Sequence, residues 1–254
     1  MPSRIRFEHA AGVAHVTLSY PKRFNAMSRA MWRDLRAVFE RIQGMTELRC
    51  VLVSGDGAHF CAGGDISEYP GFRFQEPLLR AFHEDEVWGA LSAMLACDVP
   101  MVAQIEGNCM GAGVEIASCC DIRMAAESAR FGAPIAKLGF PMAPREAALV
   151  AREAGLRTAR QMLLEAAVFS APDMLLRGFL SRVVADEDVS ELAQASVRRI
   201  CQLAPQAARL NKQTLRAIMH DQLPSLLGTA YDYADSFEQR EGINAFLEKR
   251  PPAF

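Results

Sequence analysis

A carboxylate, Glu115, stands just beyond a glycine cluster in the stretch Ile105-Glu-Gly-Asn-Cys-Met-Gly-Ala-Gly-Val-Glu-Ile-Ala117, which leaves an apolar segment and enters a helical pattern. Main-chain N–H groups at a glycine-rich helix start carry partial positive charge along the axis, so they can hold a developing oxyanion. Ala112 and Glu115 are three residues apart and share a helix face. A carbonyl oxygen held at the Ala112 N–H would leave its neighbouring carbon near Glu115, which could move a proton. That is enolate chemistry; the plainer reading is a glutamate that complements the helix dipole. A second glycine-rich loop, His59-Phe-Cys-Ala-Gly-Gly-Asp-Ile-Ser-Glu68, follows the apolar run Cys50-Val-Leu-Val-Ser54 and the turn Gly55-Asp-Gly57. Two such loops can supply two N–H donors to one oxygen.

With these segments the chain resembles the crotonase superfamily, the enoyl-CoA hydratase/isomerase family. The matching pieces are Pro21-Lys-Arg-Phe-Asn-Ala26, Phe60-Cys-Ala-Gly-Gly-Asp-Ile66, Ile105 to Glu115, Cys120-Asp-Ile122, Phe131-Gly-Ala-Pro134, Leu138-Gly139 and Ala245-Phe-Leu-Glu-Lys-Arg250. The resemblance implies an α/β, crotonase (ClpP-like) fold of repeated ββα units with a C-terminal helical trimerisation region. Residues 1–187 would form the core with CoA and active site, and residues 188–254 the oligomerisation region. It further implies an acyl-CoA substrate, with coenzyme A part of the thioester and no prosthetic group or metal. The expected assembly is a homo-oligomer, a trimer or dimer of trimers.

Site roles also come from the resemblance. The oxyanion donors map onto the N–H groups of Gly64 and Ala112, and Glu115 is the acid/base. CoA would lie along Lys22, Arg23, Phe24 and Ala26, with Ala62, Asp65 and Ile66 near the adenine end. Phe246 and Lys249 match tail positions that reach the CoA of the same or a neighbouring subunit. Lys22 and Arg23 could equally be turn residues in water, and Asp65 an N-cap.

The chain departs from the family pattern at Phe131-Gly-Ala-Pro-Ile135, because hydratases carry a second glutamate after that proline. Isoleucine transfers no proton. Glu146 and His83 are the substitute acids to weigh, against a helix-start glutamate and a residue in water respectively; His59 abuts the oxyanion loop. The implied activity is enoyl-CoA hydratase-like, a lyase adding water to a 2-enoyl-CoA. The alternatives are an enoyl-CoA delta-isomerase or another one-base reaction such as racemisation or decarboxylation, and, in another class, a non-catalytic CoA-binding protein.

The elements that must position these groups alternate for two-thirds of the chain. Strands are predicted at Val13–Leu18, Cys50–Ser54, Met101–Ile105, Asp121–Ala125 and Phe179–Val184. A helix is predicted over Met27–Gln43, with Met31, Leu35, Val38 and Ile42 as its apolar stripe and Ser28 as cap. An amphipathic stretch covers Leu78–Ala96. Helical patterns over Val189–Leu203, Pro205–His220 and Pro224–Gln239 form an all-helical end. Such an α/β order places ligands where strands exit into helices.

Composition sets bounds. The 254 residues suffice for a sizeable core. Lys plus Arg of 28 against Asp plus Glu of 30 argues against a dedicated nucleic-acid binder. Seven cysteines without paired spacing read as thiols of a reducing compartment. No segment has the length and apolarity of a membrane span, so the cytoplasm is expected and no membrane partner.

Overall fold

The computed structural model describes residues 3–254. The chain opens with β1 (Arg4–Ala10) and β2 (Val13–Ser19), an antiparallel pair. A turn at Pro21–Arg23 leads to α1 (Arg29–Gln43), capped by the Ser28 hydroxyl, which accepts from the Met31 N–H. The buried stripe of α1 is Met31, Trp32, Leu35, Phe39 and Ile42, so Phe39 takes the place expected for Val38. Strand β3 (Cys50–Gly55) ends in the first glycine loop. A 3₁₀ segment (Ile66–Gly71), α2 (Glu76–Ala81), a π-helical turn (Phe82–Val87) and α3 (Trp88–Ala96) then return the chain to the sheet.

Strand β4 (Met101–Ile105) is followed by the short β5 (Asn108–Met110) and α4 (Ala112–Ser118). Next come β6 (Ile122–Ala126), β7 (Arg130–Gly132), α5 (Pro144–Ala154), α6 (Leu156–Leu164), β8 (Val168–Ser170), α7 (Ala171–Leu176) and β9 (Arg182–Val184). The main sheet runs in the order β1-β2-β3-β4-β6-β9, and all its pairings after the first are parallel. A second sheet, β5-β7-β8, stands beyond the exit of β4.

The parallel strands are apolar on both faces, as strands covered twice must be. One face joins α1, α3 and α4 in the larger core, around Trp32, Leu35, Val53, Leu91 and Ile116. The other face, through Cys50, Leu52, Val102 and Met124, meets Ala193, Val197 and Ile200 of α8 (Val189–Cys201). The first helix beyond residue 187 thus covers this chain's own sheet. Helix α9 (Pro205–Met219), α10 (Leu223–Leu226) and α11 (Phe237–Leu247) follow.

The helix expected over Pro224–Gln239 is corrected: α10 ends at Leu226 and turns run to Ser236, the cap of α11. Gly228 removes side-chain support there, and Asp235 takes a left-handed φ of 68°, which ends a helical path. The strand expected from Phe179 begins only at Arg182, because the Phe179 and Leu180 N–H groups are held by the Met174 carbonyl at the end of α7.

Candidate active site

The two glycine loops leave the carboxyl ends of neighbouring parallel strands, β3 and β4, where ligands of open α/β sheets collect. They are zipped together. The Phe60 N–H donates to Glu106 O, Cys61 N–H to Asn108 O and Met110 N–H to Cys61 O, each at 2.8 Å. Cys61 and Cys109 form the bridge at the centre of this seam. Gly64 lies three residues beyond the bridge on one side and Ala112 three beyond it on the other, so one seam sets both main-chain N–H groups. Among the described residues, neither N–H has a hydrogen-bond acceptor. Unpaired main-chain donors lining a cavity call for an oxygen from a ligand.

Local backbone makes the approach possible. Gly111 precedes α4 with φ of 47°, a left-handed conformation suited to glycine. A Cβ on Gly113 would lie 2.7 Å from the Cys61 carbonyl oxygen, so α4 reaches the seam only because this residue has no side chain. A Cβ on Gly64 would lie 2.1 Å from the Tyr69 hydroxyl. The Tyr69 hydroxyl therefore sits against Gly64.

The cavity holds about 390 Å³ and is lined by Gly64, Tyr69, Arg73, His83, Ala112, Glu115, Ile135, Phe140 and Glu146 among others. Glu115 is 6% exposed. Burial pushes its carboxyl well above the usual carboxylate range; the nearby charge of Glu146 adds to the rise and Arg73 opposes it. No described protein group hydrogen-bonds the Glu115 carboxyl. It is held in place yet open to a ligand.

Glu146 lies in the first turn of α5, as its sequence position predicts, but it is 3% exposed and faces this cavity. Its Oε1 is 2.8 Å from His83 Nδ1. Arg73 Nη2 is 3.3 Å from His83 Nε2. An arginine only donates, so His83 accepts at Nε2 and carries its proton on Nδ1, which it donates to Glu146. His83 is thus a neutral link between a guanidinium and a carboxylate, a correction to its reading as a residue in water. It projects from the π-helical turn, a local widening often found at functional sites.

The remaining predicted positions fall into three groups. Ala62 and Ile66 line the cavity. Lys22, Arg23 and Phe24 form an exposed turn outside it, tied to the first loop by the Ala62 N–H donating to Phe24 O; Ala26 is buried beside them. Asp65 is buried and caps the 3₁₀ segment, accepting from the Ser67 N–H at 3.1 Å. Phe246 and Lys249 are exposed at the end of α11 and do not line the cavity. His59 accepts from the Asn108 N–H through Nδ1 and so braces the seam.

Sequence reasoning passed over Tyr69, Arg73 and Phe140. A lone cation inside the aromatic run Tyr69-Pro-Gly-Phe-Arg-Phe74 was the available signal. Cys61, beneath the site, is no nucleophile, since burial pushes its thiol up to about 12. Among the described residues no cluster of His, Cys, Asp and Glu could hold a metal ion.

Comparison with known proteins adds an independent line. The family model described as "Enoyl-CoA hydratase/isomerase" matches residues 8–254. A probable enoyl-CoA hydratase of Rhodobacter capsulatus is 30% identical over 98% of this chain and 97% of its own length. The short-chain-enoyl-CoA hydratase of Clostridium acetobutylicum is 28% identical over 98% and 96%. A crystal structure described as an enoyl-CoA hydratase/carnithine racemase from Magnetospirillum magneticum superposes with a TM-score of 0.94 at 35% identity, covering 98% of this chain and 94% of that one.

Proposed function

Because this chain belongs to the enoyl-CoA hydratase/isomerase family, an enzyme family acting on CoA thioesters, we propose that it hydrates a 2-enoyl-CoA with Glu115 and Glu146 sharing the proton transfers. The observation that carries this reading is that both carboxyls line one cavity beside two unpaired N–H groups, while Ile135 supplies no acid.

The thioester oxygen accepts from the Gly64 and Ala112 N–H groups. Glu146 takes a proton from a water, whose oxygen bonds to carbon 3 as the π electrons move onto the thioester oxygen. Glu115, whose protonated form burial favours, then gives its proton to carbon 2. The product gains one hydroxyl and one hydrogen, and the proton left on Glu146 returns through water to Glu115. His83 orients Glu146. Losing one oxyanion donor typically costs about 3 kcal/mol of barrier, and removing a positioned acid or base about 10²–10⁴-fold in rate.

A one-base double-bond shift is the second reading, favoured by the apolar Ile135 in the lining; racemisation and decarboxylation would likewise need Glu115 and the oxyanion hole alone. CoA would enter past Lys22, Arg23, Phe24 and Ala26, with Asp65 and Ile66 toward the adenine and Phe246 and Lys249 completing the site from a tail. No prosthetic group or metal has a role in these steps. The all-helical end from residue 188 is read as the oligomerisation region of a trimer or dimer of trimers, supported by exposed Leu215, Ile218, Leu227, Phe237 and Phe246. Cytoplasmic placement is supported by seven free thiols. No helix among the described residues is long and apolar enough to cross a membrane.

The test is mass spectrometry of 2- and 3-enoyl-CoAs incubated in deuterated water with the protein, Glu115→Gln and Glu146→Gln. Added water that requires both carboxyls is expected. Water addition untouched by Glu146→Gln would return both transfers to Glu115. A moved double bond without water would make the enzyme an isomerase, and bound but unchanged thioesters a CoA-binding protein.

A further inference from the structure

Among the described residues no carboxylate lies within ion-pair distance of Arg73. Its guanidinium carbon lies 4.3 Å from the Tyr69 ring centroid and 3.8 Å from that of Phe140, so two aromatic faces hold it flat. One Nη donates to His83. Its Nε–H is buried and has no partner. No described carboxylate forms an ion pair with it, whereas the half-buried or buried Arg29, Arg123 and Arg216 each pair with a glutamate or aspartate. Ring faces compensate a desolvated cation only in part, and a buried donor left unmade costs more than a made bond returns. Glu146 is occupied by His83, and Glu115 is held toward its neutral form. The protein thus keeps, in the same cavity as Glu115 and Glu146, a planar guanidinium whose buried Nε–H has no partner among the described residues.

Position narrows the ligand. Tyr69 connects the fork to the oxyanion site, its ring face on Arg73 and its hydroxyl over Gly64. An acyl carbonyl held at the Gly64 N–H therefore has its chain within about a tyrosine ring's breadth of the guanidinium. The cationic turn of Lys22 and Arg23 lies outside the cavity, so phosphates reaching for it lead away from Arg73. Lys137 also lines the cavity but is exposed at its rim.

Resting on the thioester reading above, we propose that Arg73 receives a carboxylate at the far end of the acyl group, so that the substrates are CoA monothioesters of short dicarboxylic acids, roughly four to six carbons in all. A carboxylate meets the guanidinium through two parallel N–H···O bonds, the strongest pairing available to it. A neutral chain of equal length leaves the same donors unmade.

The test is calorimetric titration of the full chain with succinyl-CoA and glutaryl-CoA against butyryl-CoA and valeryl-CoA, the same lengths without the second carboxylate. The wild type is expected to bind the dicarboxylic pair at least about tenfold more tightly. Arg73→Gln should erase that preference while still binding butyryl-CoA, and Arg73→Lys, which keeps charge but loses the fork, should restore only part of it. Equal affinities in the wild type, or a preference that survives Arg73→Gln, would overturn the proposal; the wild-type comparison decides even where a variant does not fold. Failure of all four thioesters to bind would instead overturn the acyl-CoA reading beneath it.

Discussion

The Glu115 carboxyl combines burial with the absence of any hydrogen-bond partner among the described residues, and the two together shape its chemistry and its stability cost. Its proton is held more tightly in the folded state than in the unfolded chain. The group's contribution to stability is therefore full below the ordinary carboxylate range and is lost as pH rises through the raised value. Glu115→Gln removes that titration. We expect turnover to fall at least 10³-fold with acyl-CoA binding retained, and the melting temperature to exceed that of the wild type by a gap that widens from pH 5 to pH 8, reaching about 3 °C. A gap that closes with rising pH would mean that Glu115 is ionised in the fold. Gly64→Ala is a separate probe, because the new methyl collides with the Tyr69 hydroxyl. Its kcat should drop about 100-fold with little change in melting temperature, since the contact lies at the cavity wall.

In the proposed mechanism catalysis depends on the seam between the glycine loops, because it fixes Gly64 and Ala112 from one bridge. Gly113→Ala pushes α4 away from the Cys61 carbonyl. The expected result is a loss of about 1–3 kcal/mol in chemical denaturation together with a fall in kcat, as the Ala112 N–H moves off its oxygen. Helix α9 is anchored differently, by polar bonds converging on Asp98. Gln43 and Gln213 donate to it at 2.9 and 2.8 Å, and Arg216 pairs with it at 2.7 Å. Burial pushes the Asp98 carboxyl up, but these three partners outweigh it and leave it below the usual range. Its stabilisation is present above the unfolded carboxylate's pKa and is lost as pH falls through the lowered value. Asp98→Ala should therefore cost about 2–4 kcal/mol at pH 7 and much less near pH 3, read from urea midpoints at both.

The molecule as a whole leaves a large apolar area uncovered at its helical end. A groove of about 630 Å³ runs between α9 and the ends of α3 and α4, lined by Leu95, Leu215, Ile218 and Met219. On the proposed trimer or dimer of trimers, Ile218→Asp should shift sedimentation from a multiple of the 27.9 kDa chain toward the monomer, since a charge on an apolar face covered by another subunit is not solvated. An unchanged sedimentation coefficient would place the subunit contact elsewhere. Much of this plan was legible beforehand. The strand Met101–Ile105, the Ser28 cap of α1 and the starts of α8 at Val189 and α9 at Pro205 were readable from periodicity, serine and proline. The strands β5, β7 and β8 were not, being three residues each, too short for alternation to register.

The α/β order, the family and the two glycine loops with Glu115 beyond the second were all encoded in local patterns: apolar periods, glycine spacing and one carboxylate a helical turn from Ala112. The sequence also showed a missing acid at Ile135. What stands near Glu115 is set by packing between distant segments. Residues 69 and 73, 83, and 146 come from three separate stretches whose meeting depends on how the chain between β3 and β4 packs against the start of α5. No local pattern encodes a contact between positions 63 residues apart, since burial and pairing follow from packing.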